Sequence, residues 1–142
     1  MLVLTLKQPY AWMVIFGTKP IENRRWVNAL LNHLITRGEA FAIHAGLSCT
    51  RDYYDEAVAY ARSQDPELRV PRREDLVRGA ILGTVVPTDV YRPEDWAPTR
   101  RWHMRGQYGW QLKDRTPLPS PVPAKGKQGF WSIDDALLGV AA

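Results

Sequence analysis

Lys19, Glu22 and Arg24 are the residues of this 142-residue chain whose types and spacing best suit chemistry. They fall in Gly17-Thr18-Lys19-Pro20-Ile21-Glu22-Asn23-Arg24, shortly after Gln8-Pro9-Tyr10-Ala11, and the two runs form the densest cluster of functional side chains. If residues 20–26 form a strand, period two puts Glu22, Arg24 and Trp26 on one face. Glu22 and Arg24 then stand roughly 6–7 Å apart, from the rise per strand residue. That separation allows a direct ion pair, or two groups converging on one ligand. Lys19 enters the same strand, and its long stem reaches the same spot. A carboxylate between two cations is better at fixing a ligand than at donating a proton. The same spacing also fits a plain salt-bridged strand face.

His44 is the candidate acid–base group, because histidine ordinarily titrates where it can both take and give a proton. It lies on an expected strand, Glu39 to Gly46, beside the small residues Ala40 and Ala42, which would leave room for a pocket wall. A satisfied core histidine is the other reading. His33, His44 and His103 are scattered and Cys49 is the one cysteine, so the sequence offers no metal constellation or disulfide framework and calls for no cofactor. GxGxxG, Walker A, HExxH and GxSxG motifs are absent, which argues against the common nucleotide and serine hydrolases. Arg100-Arg101-Trp102-His103, and Tyr108 with Trp110 and Lys113, set stacking faces beside cations. That mixture holds single-stranded RNA or flipped bases; Trp102 covering a loop is the alternative.

The elements that must position these groups follow from local pattern. Leu2 to Leu6 is a β-prone run. Pro9 opens a short helix, apolar on every side from Tyr10 to Phe16, that ends at Gly17. In the strand 39–46, Phe41, Ile43 and Ala45 share one face. Thr50 caps a helix running to about Arg62, with Tyr54, Ala57, Val58 and Ala61 as its apolar stripe. Pro71 to Arg78 reads as a second short helix. Ala80 to Val86 is a buried strand in which Gly83 marks a bulge or close approach. Tyr108 to Leu112 is a strand, Pro117 to Pro123 an extended loop, and Gly129 to Ile133 the closing strand. These elements predict an α+β fold, a small mixed β-barrel flanked by short helices, in one domain over residues 1–142.

Composition narrows the setting. The chain is 45% hydrophobic, with 19 Lys and Arg against 15 Asp and Glu, a formal charge of +4. No apolar run approaches the roughly 20 residues of a membrane span, and the N-terminus lacks the basic flank of a signal peptide. A cytoplasmic protein without membrane contact is expected. The charge is uneven: residues 1–50 carry five basic and two acidic groups, residues 51–95 seven and ten, and residues 96–142 seven and three. The basic ends would attract phosphate-bearing partners, while the acidic helix 51–62 could meet a protein partner.

The run Leu4-Thr5-Leu6-Lys7-Gln8-Pro9-Tyr10-Ala11, followed by Gly17-Thr18-Lys19-Pro20-Ile21-Glu22-Asn23-Arg24, resembles the opening of an ASCH domain, a branch of the PUA-like superfamily. Ile43-His44-Ala45, Gly83-Thr84-Val85 and Gly129-Phe130-Trp131 resemble its later strands, so the likeness to a small, stand-alone, bacterial-type member spans nearly the whole chain. The resemblance implies a small β-barrel with a cleft beside the first helix and the Lys-x-x-Glu-x-Arg strand, binding RNA or a nucleotide. Members differ in activity: some are described as ribonucleases, some hydrolyse acetylcytidine, and others are binding modules. The acetylcytidine branch uses a lysine and, three positions on, a threonine nucleophile; here Glu22 stands at that position and Thr18 precedes the lysine, which removes the nucleophile.

The resulting expectation is an RNA- or nucleotide-binding protein that could act as a metal-independent ribonuclease on single-stranded RNA. Lys19, Glu22 and His44 would be catalytic, with Lys7, Gln8, Tyr10, Arg24, Trp26 and Tyr108 as ligand contacts. A non-catalytic reader of RNA or of a modified base is the alternative. An acetylcytidine-type amidohydrolase ranks behind both.

Overall fold

The computed structural model describes residues 1–139; the last three residues of the expected 1–142 domain lie outside the described residues. Six strands form one mixed sheet: β1 (Leu2–Leu6), β2 (Ile21–Arg24), β3 (Phe41–Ala45), β4 (Ala80–Tyr91), β5 (Tyr108–Pro123) and β6 (Phe130–Ser132). Their order across the sheet is β2-β5-β4-β3-β1-β6. β1 and β3 run parallel, joined through helices, and every other pair is antiparallel. Three helices accompany the sheet: α1 (Tyr10–Ile15), α2 (Ala29–Arg37) and α3 (Arg51–Gln64).

Strand alternation divides the apolar residues between two faces. Leu4, Leu6, Phe41, Ile43, Ala45, Leu82, Val85, Trp110 and Leu112 line the main core, into which α1 inserts Ala11, Val14 and Ile15 and α2 inserts Leu31 and Leu34. Val3, Ala42, Ile81, Trp131 and Leu138 make a smaller cluster on the opposite face. A six-residue helix is unstable alone, so α1 exists by burial, each large apolar side chain contributing roughly 1.5–3 kcal/mol. α2 is not among the elements expected from local pattern, yet its signals are present in the sequence. The Asn28 side chain accepts from Leu31 N, and Gly38 takes the left-handed conformation that ends the helix.

Two other elements differ from expectation. Pro71 to Arg78 holds only a single 3-10 turn, Arg73–Asp75, because prolines and charges leave it no apolar stripe. Pro117 to Pro123, expected as a loop, is the second half of β5. Its prolines occupy alternate positions, so their hydrogen-less nitrogens share one edge. The intervening residues carry the ladder to β4, as the Ala124 N–H bonded to Gly79 O continues it.

Curvature makes the site. Register shifts between Ile81 and Gly83, Thr84 and Val86, and Pro87 and Asp89 bend the two long strands. Gly83 is both the bulge and the close approach expected of it: a Cβ there would lie 2.5 Å from Thr116 O. The sheet therefore curls into a half-barrel whose edges approach each other. Trp26, just past β2, meets Phe130 of β6 edge-on at 6.0 Å, and Arg24 Nη2 donates to Thr5 O of β1 at 2.9 Å. Among the described residues no backbone ladder closes this seam, and a cleft opens along it.

Candidate functional site: the cleft at the barrel seam

Each wall of the cleft comes from a different element. β1 and its end supply Thr5, Leu6 and Lys7; α1 supplies Tyr10; and β2 with its flanks supplies Lys19, Glu22, Asn23, Arg24 and Trp26. Tyr53 of α3 and Met104 and Gln107 before β5 complete one rim, and Lys127, Gln128 and Gly129 before β6 the other. The volume is about 760 Å³, enough for a nucleotide-sized ligand. Four cations and one carboxylate line it, so its field is positive.

At its base lies a graded ion triad. Pairing of β2 with β5 sets Glu22 opposite Trp110 and Arg24 opposite Tyr108, which turns both charged residues to the same face. Lys19 Nζ lies 3.6 Å from Glu22 Oε1, and Arg24 Nε lies 2.9 Å from Glu22 Oε2. The Arg24 Nε–H points off the line to that oxygen, so this contact is an ion pair without a well-aligned hydrogen bond. Side-chain exposure rises from 1% at Lys19 through 8% at Glu22 to 24% at Arg24, so the lysine is the floor and the arginine the mouth. Lys19 also donates to Ile21 O. Burial lowers its pKa below the usual lysine range, with Glu22 pulling the other way.

Two tyrosines stand above the triad. Tyr10 and Tyr53 meet edge-to-face at 6.0 Å. Lys19 Nζ lies 5.4 Å from the Tyr10 ring and Lys7 Nζ 4.8 Å from the Tyr53 ring. Burial raises both phenol pKa values, that of Tyr53 to about 12 with help from the charge of Glu22. Both hydroxyls therefore keep their protons at neutral pH and can donate to a ligand.

Six of the nine residues singled out from sequence line this cleft: Lys7, Tyr10, Lys19, Glu22, Arg24 and Trp26. Three do not. The buried Gln8 side chain donates to Val77 O at 2.7 Å and accepts from Trp12 N at 2.9 Å, so it caps α1 in place of the side-chain cap that Pro9 cannot provide. His44 is 1% exposed on the far face of β3, with ring nitrogens 3.1 Å from Thr5 Oγ1 and 2.7 Å from Ala124 O; both are engaged inside the protein and neither meets the cleft. Tyr108 packs against the main core. Thr18, the remaining hydroxyl near Lys19, is exposed and donates to Asp65 at 2.6 Å, outside the cleft.

Sequence reasoning missed Tyr53 and Lys127. Tyr53 lies four residues before Ala57, so the buried stripe of α3 could have been started one residue earlier. The acidic neighbours Asp52, Asp55 and Glu56 are exposed. The Asn23 side chain donates to Trp102 O and accepts from the Met104 N–H, each at 2.8 Å, which brings Met104 and Gln107 to the rim. Among the described residues no three His, Cys, Asp or Glu side chains gather as a metal site would require, and no helix is long and apolar enough to cross a membrane.

No protein-family model matches the chain, and no curated protein matches it in sequence. Its fold does have a counterpart among solved structures. The crystal structure of a serine-to-alanine mutant of ZmASCH from Zymomonas mobilis superposes with a TM-score of 0.51 over 96% of this chain and 89% of that one, at 12% identity. The chain therefore has the fold of an ASCH domain.

Proposed function

We propose that the cleft binds single-stranded RNA or a nucleotide, with the phosphate against Lys7, Arg24 and Lys127 and the base among Trp26, Tyr10 and Tyr53. The observation that carries this reading is the Lys19–Glu22–Arg24 triad at the base of a positive, aromatic-walled cleft. Cations there can neutralise phosphate, aromatic groups can stack a base, and Glu22 can accept from a base edge while both its oxygens are held in place. Lys19 serves from behind, fixing Glu22. Fluorescence anisotropy with a labelled single-stranded RNA tests this: affinity should fall as salt rises, because each phosphate contact releases counterions. A salt-independent affinity, or no binding to any RNA, would end the reading.

One observation favours a second reading, in which the bound strand is cut without a metal. The Lys19 ammonium is buried and its pKa is lowered, so it exchanges its proton more readily than a surface lysine. The Lys19 amine would take the proton of the 2′-hydroxyl as its oxygen bonds to phosphorus and return it to the 5′-oxygen as the P–O5′ bond breaks, leaving a 2′,3′-cyclic phosphate, while Arg24 would stabilise the charge on the phosphoryl oxygens. His44 takes no part in this version. Incubation of the pure protein with labelled single-stranded RNA in EDTA decides it: cleavage by the wild type and none by Lys19→Ala is expected, and equal cleavage by both rejects it.

A further inference from the structure

We propose that His44 is a positioning residue for the cleft: its buried imidazole fastens the Lys125-Gly126-Lys127 segment so that Lys127 stands in the cleft wall as a phosphate contact. The inference rests on the RNA-binding reading above and adds to it a subsite and the group that builds it.

The hydrogen bonds around His44 form one continuous chain. Trp131 Nε1–H donates to Thr5 Oγ1 at 3.1 Å, and Thr5 Oγ1 lies 3.1 Å from His44 Nδ1. On the other side of the ring His44 Nε2 lies 2.7 Å from Ala124 O. A carbonyl can only accept, so Nε2 carries the proton, Nδ1 accepts from the Thr5 hydroxyl, and every polar atom is satisfied by one tautomer. Trp131 closes the far side of the ring edge-on at 5.5 Å.

The loop lies directly on this imidazole. A Cβ at Gly126 would sit 2.8 Å from His44 Cε1 and 2.9 Å from Thr5 Oγ1, so only glycine allows the backbone so close. The next three residues, Lys127, Gln128 and Gly129, line the cleft, and Gly129 turns into β6 with φ of 63°. Ala124 N–H donates to Gly79 O, and β6 pairs with β1 from Phe130 onward. Between these anchors residues 125–129 make no backbone–backbone hydrogen bond among the described residues. The segment is therefore held at its start by His44, through the Ala124 carbonyl and the Gly126 contact. A buried histidine on one face of the sheet thereby sets the position of a cation on the seam.

The test is the salt dependence of RNA binding, measured by anisotropy from about 50 to about 200 mM salt. Lys127→Ala should reduce the slope of log affinity against log salt by about 0.7, the value for one lost single-strand phosphate contact, or a roughly 2.6-fold difference across that range. His44→Ala and Gly126→Ala should each lose the same increment although neither residue touches the ligand. The double variant His44→Ala/Lys127→Ala should lose no more than either single one. His44→Gln, whose amide can still donate to Ala124 O, should recover part of the slope, which a general loss of packing would not allow. If His44→Ala fails to fold, Gly126→Ala carries the test from the other side of the contact. Wild-type slopes in the His44 and Gly126 variants, or additive losses in the double variant, overturn the inference while leaving RNA binding intact. A wild type that binds no RNA overturns the functional reading, and this one with it.

Discussion

At the seam Lys19, Glu22 and Arg24 line a ligand-sized space, whereas the arginines of residues 100–105 lie on the surface against carbonyls and rings of the protein itself. Arg101 Nε donates to Gln64 O at 2.8 Å. Arg100 lies over the Tyr91 ring at 3.9 Å and donates to Asp95 O at 2.7 Å, and Arg105 lies over Trp96 at 4.2 Å. Trp102 is 4% exposed and packs with Met13, Ile21 and Ala61. As sequence the two stretches look alike, cations beside aromatic residues. Both sets of cations have partners within the protein, since Arg24 also donates to a carbonyl and Lys19 to another. What separates them is the space beside them: the seam cations line a ligand-sized cleft that no strand fills, and the arginines of 100–105 do not. Local composition reports the ingredients of a site; the sheet's failure to close determines which of them border a space for a ligand.

The comparison breaks hardest at Glu22. Glu22→Ala leaves the buried Lys19 ammonium without its countercharge, and removing one partner of a buried pair costs about 3–5 kcal/mol. Thermal denaturation should show a large drop in Tm, accompanied by loss of RNA binding; an unchanged Tm would mean that the triad is not holding the seam. Trp102→Ala is the matching change in the other region. It should cost about 3 kcal/mol of stability from the lost packing, with RNA affinity of the folded protein unchanged. A tenfold loss of affinity there would move the loop into the site.

The paired arginine variants are milder and more specific. Arg24→Ala should weaken RNA binding about tenfold, or about 1.4 kcal/mol, and lower the salt slope by about 0.7. Arg101→Ala, which removes a comparable charge from an exposed position, should leave the slope where it was. Equal effects would show that net charge, and not placement, draws the ligand.

Much of this contrast was legible in the residues. Period two along 20–26 placed Glu22 and Arg24 together, and the structure keeps them in contact, though β2 ends at Arg24 and Trp26 reaches the cleft from beyond it. Thr50 capping α3 and Gly83 bulging β4 were equally local, and both are present. What local pattern could not give was any property set by two distant segments. Gln8 looked like a ligand contact until Val77, far along the chain, took its amide. His44 looked like an acid–base group until Ala124 and Thr5 engaged its nitrogens. The alternating prolines of 117–123 read as a loop because proline cannot donate to a ladder. They form a strand because the edge they occupy has no strand beside it among the described residues.

The finest distinction between the two regions lies in a pair of tyrosines on α3. Tyr53 faces the cleft and Tyr60 packs edge-on against Trp102 at 5.8 Å, its hydroxyl buried without a hydrogen-bond partner among the described residues. Both phenols are raised from 10.0 to about 12, but for different reasons: burial alone at Tyr60, burial and then the negative charge of Glu22 at Tyr53. The sign follows directly. A folded-state pKa above the unfolded value means that the fold favours the protonated phenol. Its contribution to stability is complete below pH 10 and is lost as pH climbs towards about 12. Glu22→Gln keeps the side chain's size and removes its charge. In a ring-carbon NMR titration the Tyr53 signal should then move at lower pH than in the wild type while the Tyr60 signal stays where it was. Movement of both would make the change a general loosening of α3. Movement of neither would mean that the Glu22 charge is screened from the cleft, which would remove the electrostatic basis for reading a ligand's base edge at that carboxylate.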